Sequence, residues 1–317
     1  MEPRNRTGRP DFLLLGLSGV PELQPLIFGV FLSMYLLTVL GNLLLVLAVS
    51  SDPHLHTPMY FFLSNLALVD ICFTSTTVPK MLRDIWTQSK AITYGGCVAQ
   101  LFFFTVFGLL DNFLLTVMAY DRYVAICHPL SYTAVMSPGL CARLVVLVWL
   151  AGALGALPET LATLQLSFCA SPEEVPHYFC ELPELLRLAC SDRRAGEVVM
   201  DGVTAALGFL PLAGIVVSYA RICRAVLGMS TPGGRARAFS TCGSHLGVVS
   251  LFYGTCLVVY LGSSSGDPRP GDARTGPPAS VLYTAVTPML NPFIYSLRNR
   301  DIRGALRRLL CCGDTSR

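Results

Sequence analysis

LIFGVFLSMYLLTVLGNLLLVLAV, running from Leu26 to Val49, contains no charged side chain, and neither does the wider window between Glu22 and Asp52. About 20 apolar residues suffice for a helix to cross the roughly 30 Å hydrocarbon core of a bilayer. A charge at mid-bilayer costs on the order of 3 kcal/mol, so charge-free length measures membrane spans. The same ruler marks a second span from about Pro58 to Pro79, interrupted only by Asp70, and a third from about Ala91 to Tyr120, interrupted only by Asp111. A fourth and shortest lies between Arg143 and Glu159, a fifth between Asp201 and Arg221, a sixth between Arg237 and Asp267, and a seventh between Arg274 and Arg298. The chain is expected to cross the membrane seven times.

Composition agrees. Hydrophobic residues make up 53% of the 317 residues and charged residues only 14%, against about 25% charged in soluble domains. Mean hydropathy is +0.56. That excludes a soluble enzyme and a disordered chain. The net charge of +3 comes without a basic block, so nucleic acid is not an expected partner. The spans must be helices, because lipid-facing backbone is satisfied only within a helix or a closed barrel, and barrel strands would alternate. Pro211, Pro288 and Pro292 fall inside spans, where membrane helices tolerate them. The expected fold class is all-α: a seven-transmembrane helix bundle over residues 26–297. A tail of residues 1–25 precedes it, and a short cytosolic amphipathic helix and tail follow at 298–317. Phe12 to Leu17 is too short for a secretory signal, so the first span is expected to serve as its own insertion signal.

Lys and Arg divide almost evenly between the two sides, so the positive-inside rule alone orients the chain weakly. The glycosylation sequon Asn5-Arg6-Thr7 places the N-terminus outside. Of 12 cysteines, Cys97, Cys169, Cys180 and Cys190 then lie on the oxidising side, where bridges form, in any of three pairings. Cys311-Cys312 follows a basic amphipathic stretch and suits palmitoylation.

Four strings recur at the ends of these spans: PMYFFLSNLALVD (Pro58 to Asp70), MAYDRYVAICHPLSY (Met118 to Tyr132), RAFSTCGSHL (Arg237 to Leu246) and PMLNPFIYSLRN (Pro288 to Asn299). In that order they resemble the vertebrate olfactory receptors, a branch of the rhodopsin-like G-protein-coupled receptors, from Asn5 to about Arg308. The resemblance implies bridges Cys97–Cys180 and Cys169–Cys190, an outside N-terminus at the plasma membrane, and no enzymatic cofactor. It also implies an odorant ligand and a stimulatory heterotrimeric G protein as partners. The sequence departs from the family pattern at Asp111, usually glutamate, at Arg237, usually lysine, and in a 262–278 loop rich in Gly, Pro and Arg.

Asn42, Asp70, Asp111 and Asn291 are polar at depths where polar groups are costly, so they are expected to face the bundle interior. Two carboxylates in a low dielectric need a shared proton or a cation between them. The resemblance points to sodium on Asp70 and Asp111, with Asn42 and Asn291 supporting. A hydrogen-bonded network without an ion is the competing arrangement. Arg122, next to Asp121 and Tyr123, is expected to be held by a local ion pair and freed when the sixth helix moves. The resemblance makes the freed arginine the contact of a G-protein α subunit, with Asn291, Pro292, Tyr219 and Tyr295 in the same switch. The arginines at 221, 224 and 237 face either that partner or anionic lipid head groups.

Helical spacing gives three candidate ligand faces: Phe104, Thr105 and Gly108; Tyr253, Cys256, Leu257 and Tyr260; and Val281, Thr284 and Ala285. Their convergence would make a mostly apolar site with a few hydroxyls. Phe104 stands where amine receptors carry aspartate, and the only lysines are Lys80 and Lys90, so a small neutral odorant is expected rather than an amine or covalent retinal. An ion-coupled transporter working through Asp70 and Asp111 is the alternative. It calls for internal repeats that the sequence lacks. An intramembrane protease calls for a motif such as His-Glu-x-x-His, also lacking.

Overall fold

The computed structural model describes residues 11–169, 173–228, 232–264 and 280–311. Asn5, Cys312 and most of the 262–278 loop lie outside the described residues, as do the side chains of Arg237, Tyr260 and Cys311. Helices α1 (Gln24–Ser51), α2 (Pro58–Thr87), α3 (Tyr94–Cys127), α4 (Pro138–Gln165) and α5 (Arg194–Leu227) are each long and apolar enough to cross a membrane. Helix α6 (Pro232–Ser264) carries the apolar stretch Cys242–Val258, and α7 runs over 282–298. Helix α3 is the axle, packed against α2, α4, α5 and α6. After a break at Asn299, α8 (Arg300–Cys311) docks on α1 through buried Ile302 and Ala305 and an Arg308–Asp52 ion pair.

Two features differ from the sequence expectation. Helix α4 is not the shortest span, because its flanking charges do not end it. It starts at a Ser137 cap with Pro138 in the first turn, and it passes Glu159, whose carboxyl turns inward onto α3. The all-α expectation also omits a small sheet. Strand β1 (Phe12–Leu14) pairs antiparallel with β2 (Ala91–Ile92) and parallel with β3 (Glu173–Val175). Phe12 and Leu14, on the same side of a strand of period two, are buried. Part of the segment expected as a tail is therefore the central strand of a cap. Disulfides Cys97–Cys180 and Cys169–Cys190 complete that cap.

A proline inside a helix supplies no N–H to the carbonyl four residues earlier, and lipid offers no substitute donor. Here side chains of neighbouring helices take over. Asn112 on α3 donates to Leu207 O, orphaned by Pro211, at 2.8 Å. The Thr74 hydroxyl on α2, whose nearer acceptor is Asp70 O at 3.0 Å, also reaches to 3.5 Å from Thr284 O, orphaned by Pro288. Asn42 on α1 donates to Pro288 O, orphaned by Pro292, at 3.3 Å. The first two orphans lie in π-helical segments, Thr204–Phe209 and Leu282–Val286, the local widening by which a helix accommodates such a break.

Asn42→Leu is expected to cost about 1 to 3 kcal/mol of stability by stranding that carbonyl. Pro292→Ala, which restores a main-chain N–H, should recover part of the loss. A double-mutant cycle by thermal denaturation of the purified chain reads this; strictly additive effects would contradict the assignment.

Candidate ligand site and switch

The capward half of α3 lays Phe104, Thr105 and Gly108 toward the bundle. The Phe104 ring lies 4.8 Å from Phe179 of the cap loop, 5.0 Å from Phe73 and 6.1 Å from Tyr283. Thr105 donates to Glu159 Oε2 at 3.1 Å. A Cβ at Gly108 would meet only Phe73, at 3.8 Å. Two helical turns beyond Thr105, Asn112 accepts from the Tyr253 hydroxyl. Thr284 is buried; it donates to Ser280 O at 2.8 Å and so accepts from Tyr178, whose hydroxyl is 2.7 Å away. Ala285 and Val281 pack beside Tyr178 and Phe179, and Cys256 is half-buried. Leu257 does not join them. It is 55% exposed and shares an outward stripe with Gly254 and Val258, because one residue is a 100° turn from Cys256.

A separate cavity of about 150 Å³ lies nearer the cap, between the segment after β1 and the ends of α1 and α2, with Ile27, Met81, Ile85 and Tyr178 in its lining.

Three residues escaped the sequence reading. Glu159 served there only as a boundary charge. Asn112 follows Thr105 at seven residues, on the same helix face. His245 sits inside RAFSTCGSHL, a polar residue at depth like the aspartates.

At the far end of α3 the switch residues meet. Arg122 donates to Asp121 Oδ2 through Nε at 3.0 Å, and Tyr132 donates to Asp121 Oδ1 at 2.8 Å. Asp121 is fully buried. Tyr123 points elsewhere, to His128 at 3.0 Å. His245 on α6 bridges two helices. Its Nε2 faces Leu115 O at 3.1 Å and its Nδ1 faces the Tyr219 hydroxyl at 2.6 Å. A carbonyl can only accept, so Nε2 carries the proton and Tyr219 donates to Nδ1. Asn291 donates to both oxygens of Asp70, at 2.9 and 3.1 Å. Asn291 Oδ1, Asp111 Oδ1 and the Tyr295 hydroxyl are buried without a partner among the described residues. The Asn42 amide is spent on carbonyls. Two carboxylates and one amide oxygen are hard donors of the kind a small cation takes, although no cluster of three His, Cys, Asp or Glu exists among the described residues.

The bundle is that of the rhodopsin-like receptors: squid rhodopsin superposes with a TM-score of 0.74 over 93% of this chain and 87% of its own, at 17% identity, which speaks to fold alone. Residues 31–312 match the olfactory receptor family. Human olfactory receptor 7C1 is 59% identical over 310 residues, 98% of this chain and 95% of that protein. The olfactory receptor-like protein OLF4 of the dog, Canis lupus familiaris, is 57% identical over 306 residues, 96% and 97% of the two chains. The chain belongs to the olfactory receptor family. It is a multi-pass membrane receptor of odorants that couples to G protein, and not an enzyme; nothing in the family favours the transporter alternative.

In the cap loop, burial lowers the His177 imidazole to about 4 and, with Glu184 nearby, raises the Glu181 carboxyl to about 7. The two side chains approach to 3.7 Å. Their linkages oppose each other. An acid held above its usual value binds its proton better folded than unfolded, so Glu181 loses its stabilising share as pH rises from about 4.5 to 7. A histidine held below its usual value loses its share as pH falls from about 6.5 to 4. Glu181→Gln should therefore remove only the first slope. The variant's stability relative to the parent should rise between pH 4.5 and 7 by about 2 kcal/mol, after discounting for partial exposure. Thermal shifts of the purified chains across that range measure it; parallel curves would refute it.

Proposed function

We propose that the capped end faces outside, that an odorant settles between α3, α6, α7 and the cap loop, and that its occupancy releases Arg122 toward a stimulatory G protein that raises cyclic AMP. The observation that carries this reading is the His245 bridge. It ties α6 to α3 and α5, on the axle that holds Thr105 toward one end and Arg122 at the other. Seventeen residues at 1.5 Å each separate those two by about 25 Å. A ligand shifts such an equilibrium only by binding one arrangement better than the other, and Tyr253, on α6 above His245, is where it can do so.

The disulfide-bonded cap supports an outside N-terminus, as does the Asn5 sequon. Sodium between Asp70 and Asp111 would stabilise the resting arrangement; the stranded oxygens of Asp111 and Asn291 favour it. The basic face of α8, with Arg303 and Arg307, suits anionic lipid head groups, and palmitoylation at Cys311 and Cys312 would anchor the same helix.

In cells supplying an olfactory-type stimulatory G protein, a panel of odorants should raise cyclic AMP. Arg122→Ala should abolish the response with surface expression retained, and a persisting response would reject the switch. His245→Ala should raise ligand-free cyclic AMP several-fold by loosening α6. An unchanged basal level would remove the bridge from the mechanism.

A further inference from the structure

The candidate site is short of free hydrogen-bond donors. Thr105 gives its proton to Glu159, Tyr253 to Asn112, Thr284 to Ser280 O, and Tyr178 to Thr284. The Asn112 amide is bonded to Leu207 O. The group left over is an acceptor: Glu159, half-buried, is bonded through Oε2 alone, and no other hydrogen bond reaches its carboxyl among the described residues. One turn before it, Gly155 lets α4 close on Leu109 of α3 and Leu207 of α5, where a Cβ would come within 2.8 and 2.7 Å of them. Glu159 thus lies on the face of α4 turned to α3, one turn from the close approach to α5, and it touches the candidate ligand face through Thr105. A carboxylate so far from water is costly unless a donor or a cation meets it.

We propose that Glu159 is the specificity-determining residue of the ligand site, selecting small molecules that present a hydrogen-bond donor, an alcohol, phenol or amine, over ketones, aldehydes and esters of the same carbon skeleton. The proposal rests on the odorant-receptor reading for the location of the site. It revises the neutral-ligand expectation drawn from Phe104: the acid missing from α3 is supplied by α4.

Cyclohexanol, cyclohexanone and cyclohexylamine share a skeleton and differ in this one property. Their binding to the purified full chain in lipid nanodiscs is to be measured by saturation-transfer NMR, independently of signalling. The parent should bind the alcohol and the amine at least tenfold tighter than the ketone. Glu159→Leu should erase that ratio without weakening the ketone. Glu159→Gln, which keeps an acceptor oxygen but no charge, should hold the alcohol within about threefold while the amine loses tenfold or more. An alcohol-to-ketone ratio equal in the parent and Glu159→Leu, or no detectable alcohol binding to the parent, would overturn the proposal. A preference that holds in nanodiscs while cyclic AMP stays silent would instead reject the signalling reading.

Discussion

Lipid cannot hydrogen-bond a stranded backbone carbonyl, and of the prolines inside these helices Pro211, Pro288 and Pro292 each strand one that a neighbouring helix approaches. Asn112 and Asn42 each answer one, and Thr74, bonded first to Asp70 O, shares its proton with the third. The donors come from α1, α2 and α3, the acceptors from α5 and α7. The prolines therefore do more than bend helices. They create backbone acceptors that let the two halves of the bundle recognise each other, where apolar contact alone gives little direction. The polar residues that looked like one functional cluster divide on this basis. Asn42 is committed to backbone, whereas Asp70, Asp111 and Asn291 keep oxygens facing inward.

Much of the architecture was legible because the bilayer imposes a length on apolar segments and a penalty on charge. That made Glu22 and Asp52 reliable brackets for α1. The same rule failed at Glu159, since a carboxyl turned onto Thr105 is partly compensated, whereas one facing lipid has no partner at all. Strand β1 is three residues long and pairs with segments far along the chain, so no local period announces it. Leu257 was misplaced because membrane helices are apolar all round, and a run of permissible residues on one face does not say which face is inward. The disulfide pairing was open among three choices until a family pattern was brought in.

The site and the switch differ in what could be foreseen. Arg122 and Asp121 are adjacent in sequence, so their pairing needs no fold. Tyr132 and His245 act through contacts between helices and acquire meaning only once the bundle is assembled. The same holds for the spent donors of the ligand site. Each hydroxyl taken singly is a plausible donor to a ligand. Only the full set of partners brings out Glu159 as the acceptor on which the proposed selectivity rests.

Why the bundle should have two arrangements and not a continuum follows from how α6 is held. Two side-chain hydrogen bonds among the described residues tie it to α3, His245 to Leu115 O and Tyr253 to Asn112, well separated along the helix. Each is worth about 1 kcal/mol net, with more at stake if a buried partner is left bare. Breaking one without the other would strain a rigid helix, so they tend to be kept or lost together. A gap of a few kcal/mol leaves a minor population of about 0.1–10%. That is small enough for a quiet resting state and large enough for a weakly held odorant to shift. On the proposed reading, a ligand beside Tyr253 would compete for one of the two bonds, and the rigidity of α6 would carry the loss to the other.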